Sequence, residues 1–303
     1  MAGLAAIWVC GVMARDRHSF MVCGGCHFDR QFHLHDGPLM GRTNPASQQV
    51  RTGGVAGNIA RHLAVRGADV GFVGVQPPAE LTLMEARLRA EGVRPNLLPL
   101  AGEVPGYTAI LSPAGDLLVG AAAMALYDEV TAELLMPPLG GSDAPLVLDA
   151  NFPGQVLQTV VESLDDSRRL FAAATSAAKV GRLAGCLGRF DALVLNRGEA
   201  VVLAGDGSVA EMAGALAGRV RPGGYVLVSD GPGEAALATG GDCVTASPPP
   251  VRLVNANGAG DAMAAALFWG LADVAGTGLA TRLDHALSAG ADFAASTLAE
   301  PSR

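Results

Sequence analysis

The chain has no apolar stretch of about eighteen residues, the length a membrane-spanning helix needs, although half of its residues are hydrophobic. Gly, Pro and charged residues break the apolar content throughout, so its mean hydropathy of +0.33 reflects a large core, not a bilayer span. Basic runs are missing too, and the formal net charge is −8. That argues against a nucleic-acid partner, because a duplex-binding surface needs clustered Lys and Arg. A small anionic ligand stays compatible, since a local site can be positive in an acidic protein. Cysteine is scarce: five residues, odd in number and scattered, which suits a reducing cytoplasm better than a disulfide framework. Cys23 and Cys26 form a CGGC pair without a second metal pair or a thioredoxin-like context, and read as a strand ending in a Gly-Gly turn. Internal repeats and long linkers are also missing.

The 303 residues suffice for one large domain with a modest insertion. The opening MAGLAAIWVCGVM has the flavour of a signal core but no Lys or Arg ahead of it. Residues 1–19 are therefore expected to be an extension, disordered or mis-started, with Met13 and Met21 as rival starts. FMVCGGCHFD predicts a first strand and its turn. QFHLHDGPLM and ASQQVRT alternate apolar and polar residues, the pattern of strands with one solvent-facing side. GGVAGNIARHLAVRG predicts a helix with Ile59, Leu63 and Val65 on or near one face, stopped by Gly67. Val70–Val75 reads as a strand and Glu80–Glu91 as a helix. Tyr107–Leu111 and Leu117–Val119, separated by SPAGD, form a hairpin pattern. Beyond it the chain alternates. PLVLDA, RLFAA, DALVLN and YVLVSDG are strands; Gln155–Leu164, Ala178–Leu187, a segment opening at Arg197 or Gly198, Gly258–Ala272 and Thr281–Thr297 are helices. Such alternation predicts a parallel sheet with helices on both faces, and the early strands that do not alternate with helices predict a small separate sheet.

The segment LVNANGAGDAMAAALFWGL carries the most chemistry. A strand-like lead over Val251–Val254 runs into Gly258, Ala259, Gly260 and Asp261, where a helix starts. Glycines there let the backbone approach an anion, and the unpaired N–H groups and dipole of the first turn stabilise its charge. A carboxylate at that spot, Asp261, is placed to take the proton of an attacking hydroxyl. The same four residues also fit tight helix–sheet packing with Asp261 as a cap. A second segment, TGGVAGNIARHLAVRG, sets Gly53 and Gly54 before a helix with Asn58 in its first turn, giving backbone and amide donors facing a pocket.

Together with the early strand and GGCHFDR, with LVLNRGEA and with LVSDGPGEAAL, these segments resemble, in order and spacing, the signatures of the ribokinase-like (PfkB) carbohydrate kinase family over residues 20–297. The resemblance implies a three-layer α/β sandwich with a central, mainly parallel sheet and a small β-sheet lid from segments 30–52 and 103–120. It implies ATP with magnesium as phosphoryl donor and a sugar or nucleoside as acceptor. Asp261 would be the base, Gly258–Gly260 the anion hole, and Asp29, Gly53, Gly54 and Asn58 the substrate groups. Asn196, Glu199, Lys179, Ser229, Gly231, Gly233 and Asn257 would serve the nucleotide, with Glu199 holding magnesium through water. Within the family, NPASQQVRTGGVAGNIARHLA, AMALYDEVTAELL, LDANF with Asp149 and Asn151, and NANGAGDAMAA are most similar to pseudouridine kinases. This adds Asp149 and Asn151 to the substrate set and points to the 5′-OH of pseudouridine.

The sequence departs from the family's pattern at several places. Asn257 stands for the usual Thr, and Asn255 lacks the charge beside a monovalent cation, which leaves potassium activation uncertain. GVQPPAE replaces an acidic turn, and Ala173–Ala174 an Asp-Pro, while Lys179 keeps its place. Two other functions stay open on these grounds: another sugar or nucleoside kinase of the family, or a catalytically weak sugar- or nucleoside-binding regulator. His27, His33 and His35 have metal-like spacing but no further ligands nearby, and are taken as strand residues. Tyr107 and Thr108 fit either substrate contact or packing within the lid. An exposed edge of the lid would support a homodimer.

Overall fold

The computed structural model describes residues 18–252, 258–272 and 277–296. Residues 1–17 of the extension expected at 1–19, Asn255, Asn257 and the tail from Thr297 lie outside these residues, whereas Ser19 already opens the first strand. In chain order the first part comprises β1 (Ser19–Cys23), β2 (His27–Leu34), β3 (Ala46–Gly53), α1 (Val55–Val65), β4 (Asp69–Gln76), α2 (Pro78–Ala90) and β5 (Arg94–Pro99). Next come β6 (Gly106–Leu111), β7 (Leu117–Ala123), a 3-10 turn at Ala125–Glu129, α3 (Ala132–Gly140), β8 (Leu146–Asp149), α4 (Gly154–Ser163) and β9 (Leu170–Ala173). A 3-10 helix at Val180–Arg189 leads to β10 (Ala192–Asn196), α5 (Arg197–Ala204), α6 (Val209–Ala217) and β11 (Tyr225–Ser229). The chain then forms β12 (Ala235–Thr239), β13 (Asp242–Ala246), α7 (Ala259–Ala272) and α8 (Leu279–Ala295).

Nine strands make the central sheet, in the order β13-β12-β11-β10-β9-β8-β1-β4-β5. From β11 to β5 neighbours are parallel, and β12 and β13 add antiparallel at one edge. Parallel strands buried on both faces must be apolar all along, and β8 (LVLD), β9 (LFAA) and β10 (ALVLN) are almost uninterrupted in this respect. Alternate residues feed two cores. Leu146, Leu148, Leu193 and Leu195 face a layer containing Phe152, Leu157, Leu183 and Met212. Val147, Ala192 and Val194 face the layer of Ile59, Leu63, Phe268 and Leu287. The sheet is thus sandwiched, as expected, between helices on both sides. The second expectation also holds: β3-β2-β6-β7 form a separate four-stranded sheet. Its β2–β3 and β6–β7 pairs are antiparallel and its β2–β6 pair is parallel.

Several elements differ from their sequence expectation. Val65 is exposed while Ile59 and Leu63 are fully buried, because residues four apart share a helix face and Val65 does not fall on it. The helix expected at Ala178–Leu187 is a tighter 3-10 helix. Strand β5, strand β13 and helices α3 and α6 were not expected; α3 contains Pro137 and Pro138, which speak against a helix by removing N–H donors. Val251 and Arg252 carry no strand, and the rest of that expected lead lies outside the described residues. Among the described residues no single helix is long and apolar enough to cross a membrane.

What positions the site is the strand order. The chain moves from β1 outward to β4 and β5, then returns to the other side of β1 and moves away through β8, β9, β10 and β11. Connections therefore diverge between β1 and β8, and their carboxyl ends open a crevice there, where open α/β sheets bind ligands. Below it Phe171 is fully buried between layers, stacked on Phe268 with ring centres 5.0 Å apart. Phe171→Ala is expected to cost about 3–5 kcal/mol of stability, the range for a truncated core aromatic. Urea unfolding checks this, and a loss below about 1 kcal/mol would show that the layers repack around the vacancy.

Candidate active site

Asp149 ends β8 at the floor of the crevice, completely buried. Its Oδ2 accepts from the backbone N–H of Gly25 (3.0 Å) and Ala56 (3.1 Å) and from Asn151 Nδ2 (2.6 Å). Its Oδ1 accepts from the Asn151 backbone N–H at 2.9 Å. Burial pushes this carboxyl above its ordinary range, and the hydrogen bonds from Asn151, Gly25 and Ala56 pull it back. Ala56 lies in the first turn of α1, where the unpaired N–H groups favour an anion. One carboxylate thus ties the turn after β1, the start of α1 and the end of β8. Lys179 Nζ donates to Asn151 Oδ1 at 2.9 Å, and desolvation, then the Arg182 charge, lowers its pKa from the ordinary lysine value.

Gly54 connects the small sheet to α1. It holds φ +88°, and a Cβ added there would stand 2.3 Å from the Gly25 carbonyl oxygen. Glycine is needed at this position for both reasons. Gly53 serves a neighbour: a Cβ there would lie 2.3 Å from Asp29 Oδ1, so its bareness makes room for the Asp29 carboxylate. Asp29 Oδ1 lies 3.3 Å from His27 Nε2 and is buried with no hydrogen-bond partner. On its far side His27 Nδ1 is 3.2 Å from the Tyr127 hydroxyl, which donates to the Cys26 carbonyl at 2.8 Å.

Asp261 opens α7 on the opposite wall. Asn58 Nδ2 donates to Asp261 Oδ2 at 2.7 Å, joining residues 203 apart in the chain. Desolvation pushes the Asp261 carboxyl up to about 7; the Asn58 hydrogen bond and the Arg61 charge oppose this, and the Asp149 and Glu199 charges add to it. Gly258 holds φ +97°, with the Phe293 ring 3.1 Å from where a Cβ would be. At Gly260, which is exposed, a Cβ would meet no atom of the described residues within 4 Å, so packing among them does not demand glycine there and open space lies beside it.

Asn196 and Glu199 form a reciprocal cap on α5. Asn196 Oδ1 accepts from the Glu199 N–H at 3.0 Å, and Glu199 Oε2 accepts from the Asn196 N–H at 2.8 Å. Glu199 is buried, which raises its pKa against these hydrogen bonds. The capping half of the sequence reading is therefore present, and the second oxygen, Oε1, has no hydrogen-bond partner among the described residues. Ser229 ends β11, and Gly231 and Gly233 lie in the exposed turn before β12. Ala259 lies at the start of α7, where its carbonyl faces Gly290 of α8. The structure thus joins Asn58 to Asp261, Gly53 to Asp29, and Asp149 to Asn151 and Lys179.

Other groups around the crevice were not singled out from sequence: Tyr127, Gln76 and Arg61. Gln76 Nε2 donates to the Cys26 carbonyl at 2.5 Å from the turn that replaces an acidic one. Arg61 sits three residues after Asn58, a helix-neighbour spacing that could have flagged it. Cys23 and Cys26 are separate buried thiols, both pushed up by burial. Among the described residues no group of three His, Cys, Asp or Glu could hold a metal, so His27, His33 and His35 do not converge. Tyr107 packs over Gly120 within the small sheet.

The family model described as pfkB family carbohydrate kinase matches residues 35–302. A carbohydrate kinase from Agrobacterium tumefaciens is similar in structure with a TM-score of 0.79 at 28% identity, over 93% of this chain and 92% of that one. The ribokinase from Thermotoga maritima aligns with a TM-score of 0.77 at 18% identity, over 92% and 94% of the two chains. Phosphofructokinase-2 from Escherichia coli in complex with potassium gives 0.78 at 20% identity, over 93% and 94%. The last two likenesses concern the fold alone. Comparison with curated proteins gives no match.

Gly54→Ala tests the junction beneath this site. A non-glycine residue at φ +88° costs about 1–3 kcal/mol before any clash is counted. The variant is expected to lose at least that much in thermal or urea unfolding, and an unchanged midpoint would show that this turn relaxes freely.

Proposed function

Given that the chain belongs to the pfkB family of carbohydrate kinases, and so is a phosphotransferase acting on an alcohol, we propose that it transfers the γ-phosphoryl group of ATP to a ribosyl hydroxyl, the 5′-OH of pseudouridine. The observation that carries this reading is the pairing of Asp261 with Asn58 at the first turn of α7, beside the open space at Gly260. A base for an alcohol must be ionised, near the operating pH in pKa, and next to an anion-stabilising backbone. Asp261, pushed to about 7, meets the second condition, and the first turn of α7 meets the third.

In this mechanism the acceptor hydroxyl gives its proton to an Asp261 carboxylate oxygen as its own oxygen bonds to the γ-phosphorus. The bond from that phosphorus to the β-phosphate bridging oxygen breaks, and ADP leaves. The N–H groups from Gly258 to Asp261 stabilise the charge on the transferring group. Asp29, whose Oδ1 lies buried beside His27 without a hydrogen bond among the described residues, and Asn58 orient the sugar. Asp149 and Asn151 hold the crevice floor, with Lys179 drawn to Asn151. Ser229, Gly231 and Gly233 support the nucleotide from the β11–β12 turn. The donor set fits a magnesium ion carried mainly by phosphates and water, because among the described residues Glu199 Oε1 takes no hydrogen bond and no protein cage of three ligands exists. Magnesium, held through water by Glu199, would supply neutralisation of phosphate charge when bound. The small sheet, acting as a lid, would exclude the water that competes with the acceptor. Its edge strand β7 is exposed throughout, with Leu117, Leu118 and Val119 facing outward, which supports a homodimer through this sheet.

ADP release with MgATP over a panel of nucleosides and sugars tests the acceptor. Turnover confined to pseudouridine is expected; turnover on another sugar or nucleoside moves the substrate within the family, and binding without turnover makes the chain a regulator. Asp261→Asn is expected to lower kcat by roughly 10²- to 10⁴-fold with little change in binding, the range for a lost general base. Near-normal turnover removes Asp261 from the mechanism.

The pH dependence follows with a definite sign. The base works ionised, so kcat/KM should rise with pH through a limb near 7 and fall below it as Asp261 takes up its proton. A limb near the ordinary Asp value would show that water and ligand undo the desolvation.

A further inference from the structure

We propose that Arg61 is a positioning residue for the phosphoryl transfer: its guanidinium fixes the Asn58 side-chain amide so that the nitrogen, and not the oxygen, faces the Asp261 carboxylate. This rests on Asp261 as the base. The two ends of an amide have nearly the same shape and opposite hydrogen-bonding character, so a neighbour must decide which end points where. Arg61 can only donate, and its NH2 group meets Asn58 Oδ1. The amide nitrogen is thereby turned to Asp261 Oδ2, 2.7 Å away. With the amide reversed, its oxygen lone pairs would face the carboxylate and favour the protonated acid, which has no lone pair free to take a substrate proton.

Arg61 has a carboxylate within ion-pair range but beyond hydrogen-bond reach. Its Nε lies 3.7 Å from Glu91 Oε2, the two side chains being 19% and 18% exposed. Glu91 Oε1 in turn takes the Thr52 hydroxyl at 2.7 Å and pairs with Arg87 Nε at 3.1 Å. A continuous polar chain thus runs from Thr52 in β3 through Glu91, Arg61 and Asn58 to Asp261.

The consequence is electrostatic. A hydrogen bond donated to a carboxylate favours its charged form, opposing the desolvation that acts on Asp261. The charges bearing on Asp261 are Arg61 from α1, Asp149 at the end of β8 and Glu199 at the start of α5. Helix α8 brings Gly290 and the Phe293 ring to the first turn of α7. His62, edge-on to Phe293, is held neutral because burial pushes it down to about 3. Arg61 is thus the cation in this set, and it reaches Asp261 through Asn58.

The test titrates the Asp261 carboxyl directly, by carbon-13 NMR of protein labelled at aspartate Cγ, with Asp261→Asn identifying the signal. In Arg61→Met the midpoint should rise by about one pH unit, and kcat/KM below neutral pH should fall about tenfold and recover in alkali. KM for MgATP should stay unchanged, and Arg61→Lys should restore part of the shift. Asn58→Ala should raise the midpoint as well, and the double variant Asn58→Ala/Arg61→Met should add little to it, because Arg61 acts through the amide. An unchanged midpoint in folded Arg61→Met overturns the proposal. So do fully additive shifts, which would make Arg61 a distant charge only. Should Arg61→Met not fold, as judged by circular dichroism, Arg61→Gln is read by the same criteria. The titration needs no turnover. A chain without kinase activity, or an active Asp261→Asn, therefore defeats the functional reading separately from the role of Arg61.

Discussion

The buried Asp149 carboxylate is the constraint on which the site depends. Four hydrogen bonds converge on it from Gly25, Ala56 and Asn151, and three segments meet there: the turn after β1, the first turn of α1 and the end of β8. Burying a carboxylate costs several kcal/mol unless its oxygens are fully engaged. Here they are, and two of the four donors are backbone N–H groups of the turn after β1 and of α1, so the compensation is itself a clamp. It fixes where α1 starts, and with that the direction in which Asn58 projects.

The chemistry that follows is one of opposed tendencies. Asp149, Asp261 and Glu199 are all pushed towards neutrality by burial, and all are drawn back by hydrogen bonds from N–H groups. The like charges of Asp149 and Glu199 add to the pressure on Asp261, and Arg61 works against it. A carboxyl group balanced near neutrality can both take up and release a proton without leaving the working range. The glycines complement this arrangement. Gly53 and Gly54 are required by what surrounds them, whereas none of the described residues comes within 4 Å of a side chain at Gly260.

Most of the architecture was legible because it is written in local periods. β8, β9, β10 and β11 are short apolar runs, and α1, α4, α7 and α8 carry helical spacing between turn residues. Where the reading fell short, local signals conflicted with tertiary context. Pro137 and Pro138 masked α3, and β5 (RPNLLP) has too few β-branched residues to announce itself, being held by its register on β4. The site was legible as residue types near glycine turns, and the family resemblance put them in order. Their pairings were not. No spacing rule links Asn58 to Asp261 or Asp149 to Gly25, because these contacts are made by the sheet order. Val65 shows the reverse failure, an apolar residue assigned to a buried face that the helix turns to solvent.

Asp261 sits after all thirteen described strands, at the start of the penultimate described helix. A chain emerging from the ribosome therefore bares the Val147, Phe171 and Val194 face of its sheet until α7 and α8 arrive to cover it, since a domain folds as a unit. The wall that carries the proposed base is thus also the wall that closes this core. A nascent chain that lacks α7 and α8 would have neither a cover for that face nor Asp261, so packing and the proposed chemistry are completed by the same segment.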